Sequence, residues 1–303
     1  MSASELRIGV DLGGTKIELV ALDRSGEVRL RERRPTPASE GYEAIVAAVR
    51  ALVLGAEAEL GARCTVGVGT PGAISPATGL LRNANTVCLN GRPLAQDLSA
   101  ALAREVRLAN DANCFALSEA HDGAAAGAEV VFGVILGTGT GGGVVVHGRV
   151  LGGANAIAGE WGHTPLPWPE DDERPGPACY CGRRGCVETW VSGPGLAADH
   201  LRVTGRARSA EAIAEAAARG DEASAATLER HLGRLARSLA VVLDVLDPEV
   251  VVLGGGVSQL SGLCEGLLAR LPRHVFSDVL RTRVVLPMHG DSSGVRGAAW
   301  LWP

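Results

Sequence analysis

A short stretch of the chain carries one histidine and three cysteines. They are His163, Cys179, Cys181 and Cys186. Three sulfur donors and one nitrogen donor form a tetrahedral set that Zn²⁺ favours over harder ions such as Mg²⁺. Gly182 and Gly185 precede the last cysteine, where a metal-binding turn needs backbone freedom. The pattern predicts a zinc site, and its four protein ligands predict a structural metal. The alternative is a disulfide or a group of buried thiols.

A second candidate site is the segment Asp11-Leu12-Gly13-Gly14-Thr15-Lys16, which follows a predicted strand. Gly13 and Gly14 let the backbone approach an anion, and the Thr15 hydroxyl and Lys16 ammonium suit phosphate oxygens. Asp11 is suited to hold Mg²⁺ through water, because that ion keeps most of its hydration shell. The spacing is not that of a P-loop. The alternative is an ordinary hairpin turn.

Two further glycine-rich segments occur in the second half of the chain. The first consists of Gly137, Thr138, Gly139, Thr140 and Gly141. It leads into a strand and not into a helix, which argues against a dinucleotide-binding fingerprint. Together with the first turn it favours a polyphosphate held from two sides. In the second segment, Gly255 and Gly256 would let an adenosine lie against the backbone. The alternatives are a hairpin turn and close helix–strand packing.

Asn110 and Asp111 stand where a predicted strand passes into a helix. One of the two can simply cap the helix. A carboxylate at a strand end is also suited to act as general base toward a sugar hydroxyl. Phosphoryl transfer asks mainly for such positioning and for charge neutralisation. Because two predicted phosphate turns accompany it, we favour Asp111 as the base.

Glu160 and Glu188 bracket the predicted zinc ligands. Carboxylates accept hydrogen bonds from vicinal hydroxyls, so Glu160, His163 and Glu188 are candidate sugar contacts. The metal would fix the two loop ends that present them. Its removal is therefore expected to weaken sugar binding before nucleotide binding. The alternative is that both glutamates only orient the metal ligands.

Strands and helices must position these residues. Alternating or continuous apolar residues predict strands at 6–22 (two strands around the Gly13-Gly14 turn), 27–34, 65–69, 106–109, 130–136, 144–147 and 250–253. Helices are predicted at 41–60, 94–104, 112–126, 221–246, 257–271 and 294–301, and the Pro-rich segment 165–177 is predicted to be a loop. The strand–glycine turn–strand unit occurs twice, which predicts a duplicated α/β domain with a cleft between two lobes.

Composition excludes several classes of protein. The chain has 303 residues and a net charge of −5, which argues against a nucleic-acid or membrane-surface partner. It has no apolar run long enough to span a membrane and no signal-peptide pattern near its start, so we expect a cytoplasmic protein. Of its seven cysteines, the four outside the zinc motif are expected to be core residues.

The motifs together resemble the ROK family of repressors and sugar kinases. The resemblance rests on Asp11–Lys16, Gly137–Gly143, Glu160-Trp-Gly-His163 and Cys179-x-Cys-Gly-x-x-Gly-Cys-x-Glu188, and it spans essentially the whole chain. It implies an α/β protein with the actin-like/RNase-H-like ATPase fold, whose two lobes have a cleft between them. The lobes are expected at 1–118, completed by 288–303, and at 119–287.

The resemblance also implies a role for each candidate residue. Asp111 would take the proton of the sugar 6-hydroxyl. The sugar would contact Gly72, Asn85, Asn110, Asp111, Glu160, His163 and Glu188. ATP would contact Asp11, Gly13, Gly14, Thr15, Lys16, Gly137, Thr138, Gly139, Thr140, Gly141, Gly255 and Gly256. The implied cofactors are ATP, Mg²⁺ and a structural Zn²⁺ on His163, Cys179, Cys181 and Cys186, and a homodimer is the implied assembly.

Within the family, the segments 83–94, 159–168 and 289–302 look most similar to bacterial fructokinases. They imply an ATP-dependent hexose kinase acting on fructose, with mannose or glucose as further substrates. An N-acetylglucosamine kinase or glucokinase is the alternative. A sugar-responsive repressor is disfavoured, because only about ten residues precede Asp11 and the net charge is negative.

Overall fold

The computed structural model describes residues 6–302 and contains two five-stranded sheets. The strands are β1 (Arg7–Leu12), β2 (Lys16–Leu22), β3 (Val28–Pro35), β4 (Thr65–Thr70), β5 (Ala73–Ile74), β6 (Leu81–Arg82), β7 (Val106–Asn110), β8 (Val130–Leu136), β9 (Thr140–Val146), β10 (Arg149–Val150), β11 (Val250–Gly254) and β12 (Arg283–Val285). The α-helices are α1 (Tyr42–Leu60), α2 (Leu94–Leu102), α3 (Asp111–His121), α4 (Glu188–Val191), α5 (Gly193–Thr204), α6 (Ala210–Ala218), α7 (Glu222–Leu246), α8 (Leu263–Leu268) and α9 (Ser293–Ala299).

The described chain forms two compact units. The first unit comprises 6–127, 143–158 and 288–302, and the second comprises 128–142 and 159–287. The lobe boundaries expected from the resemblance stay a prediction. In the structure, the segments 119–127 and 143–158 both belong to the first unit.

The first sheet has the strand order β3-β2-β1-β4-β7. Strands β1 to β3 are antiparallel, as the two predicted hairpins require, whereas β1, β4 and β7 are parallel. The carboxyl ends of parallel strands meet at one edge of a sheet. The register places Asp11 beside Gly69, and Thr70 beside Asn110. The Gly13-Gly14 turn, the β4 end and Asp111 therefore share an edge.

Apolar side chains cover both faces of this sheet. Ile45, Val49 and Leu52 repeat at helical spacing on α1 and pack into one core with the strands and α2. On the opposite face, Val295 of α9 packs against Val20 of β2. Because β1 and β4 are covered on both faces, they are continuously apolar apart from their ends.

The C-terminal segment is fastened to α3 by packing and by the buried Glu119. A Cβ atom at Gly297 would lie 1.6 Å from the carbonyl oxygen of Cys114, so only glycine permits this approach of α9 to α3. The buried Glu119 accepts hydrogen bonds from the Met288 backbone amide (3.0 Å) and the Ser293 hydroxyl (2.8 Å). These contacts make 288–302 part of the first unit.

The second sheet has the order β10-β9-β8-β11-β12, with β11 parallel to both β8 and β12. The strands β8 and β11 are largely buried, and Gly254 pairs with Ile135 near their carboxyl ends. The turn after β8 and the Gly255-Gly256 turn after β11 therefore lie at the same edge. The long helix α7 begins where the sequence predicts, because Asp221 caps it by accepting from the Ser224 amide at 2.8 Å.

Several predictions of local structure were wrong. The helix predicted at 112–126 ends at His121, just before the Asp122-Gly123 turn. The helix predicted at 257–271 is a short 3₁₀ helix followed by α8, because Gly262 adopts a left-handed conformation (φ +77°) between them. The strand predicted at 144–147 begins earlier, at Thr140, so the glycine turn before it is shorter.

The segment 165–177 is not a simple loop. It contains the 3₁₀ turn Asp171–Glu173, and the carboxylate of Glu173 is buried. Arg234 and Arg237 of α7 donate to it at 2.7 and 2.8 Å. A buried charge must be paired, and this pairing fastens the segment to α7. No helix in the described range, 6–302, is both long and apolar enough to cross a membrane.

Candidate active site

The first group of candidate residues lies at the carboxyl edge of the first sheet. Asn110 ends β7 and caps α3, since its side-chain oxygen accepts from the Asn113 amide at 2.8 Å. Asp111 is then the first residue of α3 and is not needed as its cap. Its Oδ1 accepts from the Ala112 amide at 2.8 Å. The sequence left open which residue is the cap, and the structure assigns that part to Asn110.

Two acids at this edge hold unusual pKa values. Burial, then the negative charges of Asp111 and Glu18, raise the pKa of Asp11 to about 6, and the Lys16 ammonium partly opposes them. Removal from bulk water by the surrounding residues also raises the pKa of Asp111, and the hydrogen bond from the Ala112 amide opposes this. The side chain stays accessible to solvent. A bound cation stabilises the ionised form of neighbouring carboxylates whose pKa values are raised. The arrangement suits a divalent cation bound with its water shell.

The Gly13–Lys16 turn connects β1 to β2. The Gly13 amide donates to the Lys16 carbonyl at 3.0 Å, and the Thr36 hydroxyl donates to the Gly13 carbonyl at 2.7 Å. Gly14, Thr15 and Lys16 are solvent-exposed. The turn is thus fixed by backbone contacts while its outer groups stay open to an anion.

Sequence reasoning missed the charged residues that surround Lys16. The buried Glu18 accepts from Arg31 Nε at 2.8 Å and from Arg33 Nε at 2.9 Å, whereas Lys16 Nζ lies farther away, at 3.4 Å. The two arginines neutralise Glu18, so its pairing with Lys16 is the weakest of the three. The alternation of charges at 16 and 18 and at 31 and 33 was the available signal, since alternate residues of paired strands share a face.

The other candidates of the first unit lie on the connection that follows β4. Gly72 comes two residues after β4, and Asn85 is exposed on the loop after β6. That loop is held by Asn90, whose side chain accepts from the Ala84 amide (2.8 Å) and donates to the Ala84 carbonyl (2.9 Å). Sequence reasoning assigned no role to Asn90.

The second unit presents the second glycine turn after β8. The Gly137 amide donates to the Gly139 carbonyl at 2.9 Å, and the Gly193 amide donates to the Gly137 carbonyl at 2.8 Å. Thr138 is exposed and Thr140 is buried at the start of β9. The Glu188 carboxylate accepts from the Thr140 amide at 2.9 Å. One predicted sugar contact thus also supports the predicted phosphate turn.

Glycine is required by packing at position 255 but not at position 256. Gly255 has a φ of +86°, and a Cβ atom there would lie 2.3 Å from the Leu136 carbonyl oxygen. This is the close-packing alternative, and it explains Gly255 without a ligand. A Cβ atom at Gly256 would meet no atom within 4 Å. Gly256 therefore leaves open backbone beside the β11 end.

The four predicted zinc ligands come together in the second unit. All four ligand atoms lie within 4.8 Å of one another. His163 Nδ1 is 3.6 Å from Cys179 Sγ, and Cys181 Sγ is 3.6 Å from Cys186 Sγ. Around a tetrahedral zinc, neighbouring sulfur and nitrogen ligands are about 3.5–3.8 Å apart, from metal distances of about 2.0–2.3 Å. The donor chemistry and these two 3.6 Å spacings fit Zn²⁺.

Glu160 and Tyr180 lie beside this ligand set. Glu160 is exposed immediately before the 3₁₀ turn that carries His163. Tyr180 lies between two cysteines, and its hydroxyl oxygen is 2.9 Å from His163 Nε2. Sequence reasoning missed Tyr180, for which the only signal was its position in the metal motif.

The structure thus gathers the candidate residues into two sets, one in each unit.

Comparisons with known proteins show which family of proteins this chain resembles. A family model described as the ROK family matches residues 7–303. The chain is 42% identical over 297 residues to an N-acetyl-D-glucosamine kinase of Citrobacter koseri, covering 97% of this chain and 98% of that protein.

Solved structures give the same assignment of fold. A ROK hexokinase from Thermus thermophilus superposes with a TM-score of 0.88 at 34% identity, covering 98% of this chain and 97% of that one. A ROK glucokinase from Streptomyces griseus, solved with glucose and AMPPNP, gives a TM-score of 0.75 at 28% identity, covering 97% of this chain and 98% of that one. The predicted α/β fold of actin-like ATPases is confirmed by these matches.

Proposed function

The chain belongs to the ROK family and is a sugar kinase, and from this premise we propose that it transfers the γ-phosphoryl group of ATP to the 6-hydroxyl of N-acetyl-D-glucosamine. The observation that carries the proposal is the likeness to an N-acetyl-D-glucosamine kinase along nearly the whole chain. The relatives favour this substrate, which was the alternative on sequence grounds, over fructose.

Several residues in the segments that resemble fructokinases have structural roles. His289 Nε2 lies 2.9 Å from the Asp122 carboxylate, and Trp300 Nε1 donates to the same carboxylate at 3.2 Å. Asn90 holds its own loop. Such contacts preserve packing in kinases of any sugar, so likeness at these residues is weak evidence for fructose.

We assign the role of general base to Asp111. Its Oδ1 is engaged by the Ala112 amide, so Oδ2 is the oxygen assigned to the proton of the 6-hydroxyl. A raised pKa lies closer to neutral pH, and it makes the ionised carboxylate a stronger base. Asn110, Asn85 and Gly72 are proposed to contact the sugar from the same unit.

ATP and Mg²⁺ are proposed to bind at the two glycine turns and the acid pair, as the family resemblance implies. When bound, Mg²⁺ neutralises charge on the phosphates and screens the repulsion between Asp11 and Asp111. Gly13 to Lys16 and Gly137 to Gly141 are proposed to donate hydrogen bonds to the phosphates. The backbone of Gly255 and Gly256 is proposed to face the adenosine, with Gly256 as the more open of the two.

The zinc loop is proposed to position the sugar contacts of the second unit. His163, Cys179, Cys181 and Cys186 would hold the ion, whose chemistry there is structural because four protein ligands close its coordination. The carboxylates of Glu160 and Glu188 would accept hydrogen bonds from sugar hydroxyls. Glu188 has one oxygen on the Thr140 amide, which leaves Oε1 for the sugar.

The substrate is tested with a panel of N-acetylglucosamine, N-acetylmannosamine, glucose, mannose and fructose, with kcat/KM measured for each by ADP release. We expect N-acetylglucosamine to exceed fructose by at least about tenfold, the discrimination that roughly 1.4 kcal/mol of contacts provides. A higher kcat/KM for fructose than for N-acetylglucosamine would overturn the proposed substrate assignment. In the same assay Asp111→Asn should lose most turnover and keep sugar binding, while Asp278→Asn, at an exposed position, serves as the matched control.

A further inference from the structure

We propose that Tyr180 is a positioning residue for the metal site: its hydroxyl holds the His163 ring so that Nδ1 faces the three cysteines. This inference rests on the proposed zinc site and concerns a residue outside the four-ligand motif. Tyr180 and His163 are 17 residues apart in the chain, so their contact is made by the fold of the loop.

The two ring nitrogens of His163 face different partners. Nδ1 lies 3.6 Å from Cys179 Sγ, on the side of the thiols, and Nε2 lies 2.9 Å from the Tyr180 hydroxyl oxygen. A neutral imidazole carries its proton on one nitrogen only. If Nδ1 is to donate its lone pair to a metal, the proton must be on Nε2. The Nε2–H group then donates to Tyr180.

A hydrogen bond to the second nitrogen fixes the tautomer and the ring orientation of a metal-binding histidine. Carboxylates, backbone carbonyls or water usually accept this bond. Here the acceptor is a phenol, and its ring also packs edge-to-face on the imidazole, with centroids 5.1 Å apart and planes at 87°. Hydroxyl and ring together restrict rotation of His163 about its side-chain bonds.

Tyr180 is itself positioned by the metal loop. It lies between the ligands Cys179 and Cys181, and the Cys179 amide donates to the Arg183 carbonyl at 2.8 Å. Metal binding by the two flanking cysteines would therefore fix the backbone on both sides of the tyrosine. The phenol is in turn directed at a third ligand. Ligand and support thus strengthen each other within one short loop.

Most of the Tyr180 side chain is solvent-exposed, at 81% of its accessible surface. A surface tyrosine contributes little to a core, so its replacement should leave the fold intact. Tyr180→Phe keeps the ring contact and removes only the acceptor for Nε2–H. The chain offers a matched control in its other tyrosine, Tyr42, whose hydroxyl donates to Asp97 at 2.5 Å in the first unit.

The experiment loads the full-length wild type, Tyr180→Phe and Tyr42→Phe with Zn²⁺ and measures transfer of the metal to a chromophoric chelator. We expect Tyr180→Phe to bind Zn²⁺ about tenfold more weakly, the lower end of the effect of removing such a support, and Tyr42→Phe to match the wild type. In ¹⁵N NMR spectra of the zinc-loaded proteins, the His163 Nε2–H signal should be protected from exchange in the wild type and lost in Tyr180→Phe.

Equal zinc affinity and equal Nε2–H protection in the wild type and Tyr180→Phe would overturn the proposal. A wild type that binds no stoichiometric zinc would overturn it together with the zinc assignment. Neither result touches the kinase proposal, because sugar-dependent ADP release is measured separately. A protein that binds zinc as described but phosphorylates no hexose would reject the function and leave this inference standing.

Discussion

Asp11 is expected to destabilise the free protein, and its replacement by asparagine should therefore stabilise it. The carboxylate lies at the end of β1, and burial, Asp111 and Glu18 raise its pKa from 3.8 to about 6. At roughly 1.4 kcal/mol per pKa unit, the ionised form is disfavoured by about 3 kcal/mol in the folded state. Asparagine has nearly the same shape and carries no charge.

The sign follows from proton binding. Between pH 4 and 6 the folded protein holds a proton on Asp11 that the unfolded chain has released, so stability falls as pH rises through this window. Asp11→Asn does not titrate. The variant should match the wild type near pH 4 and be more stable by up to about 3 kcal/mol above pH 7. For a chain of this size, that corresponds to a rise in Tm of roughly 5–10 °C.

The assay is thermal unfolding of both proteins between pH 4 and 8, without nucleotide or Mg²⁺. Asp221→Asn is the control, because the Ser224 amide lowers the pKa of Asp221 and its replacement should not stabilise the protein at pH 7.5. Kinase activity of Asp11→Asn should fall, since the proposed Mg²⁺ contact is lost. A Tm at pH 7.5 equal to that of the wild type, or a gain that is the same at pH 4, would refute the charge-repulsion argument.

Two further variants test the second unit. Glu188→Gln removes the charge of the carboxylate that accepts from the Thr140 amide and so weakens this hydrogen bond. We expect the KM for ATP to rise about fivefold, which corresponds to about 1 kcal/mol. Glu215→Gln, at an exposed position, is the control, and an unchanged KM for ATP in Glu188→Gln would contradict this link. Gly255→Ala should lower the Tm because its Cβ would meet the Leu136 carbonyl, whereas Gly256→Ala should keep the Tm and raise the KM for ATP. Equal Tm values for the two alanine variants would reject the steric argument.

Local patterns predicted most of the strands and long helices. Runs of apolar residues predicted β1, β2 and β4, and the repeat of Ile45, Val49 and Leu52 predicted α1. The clustering of the four candidate zinc ligands was predictable because three of them lie within one short motif. Helix ends were harder to predict, because the left-handed Gly262 interrupts an otherwise apolar helical pattern.

Contacts between distant residues were not predictable from the sequence. Glu173 meets Arg234 and Arg237 more than sixty positions away. Glu119 meets Ser293, which is 174 positions away. Each acid looks like an ordinary surface residue in its own segment, and only the fold brings its partners to it. The surroundings of Lys16 were missed for the same reason, since Arg31 and Arg33 reach Glu18 through strand pairing.

The zinc loop and the second glycine turn are joined through Glu188. It follows the proposed ligand Cys186 by two residues, begins α4, and accepts a hydrogen bond from the Thr140 amide with one carboxylate oxygen. The sequence led us to expect that metal removal weakens sugar binding first and nucleotide binding later. Because of this contact, loss of the metal would move Glu188 away from the sugar and from the glycine turn proposed to bind ATP at the same time. Treatment of the enzyme with a chelator should therefore raise the KM for sugar and for ATP together, and a rise confined to sugar would show that α4 holds Glu188 without the metal.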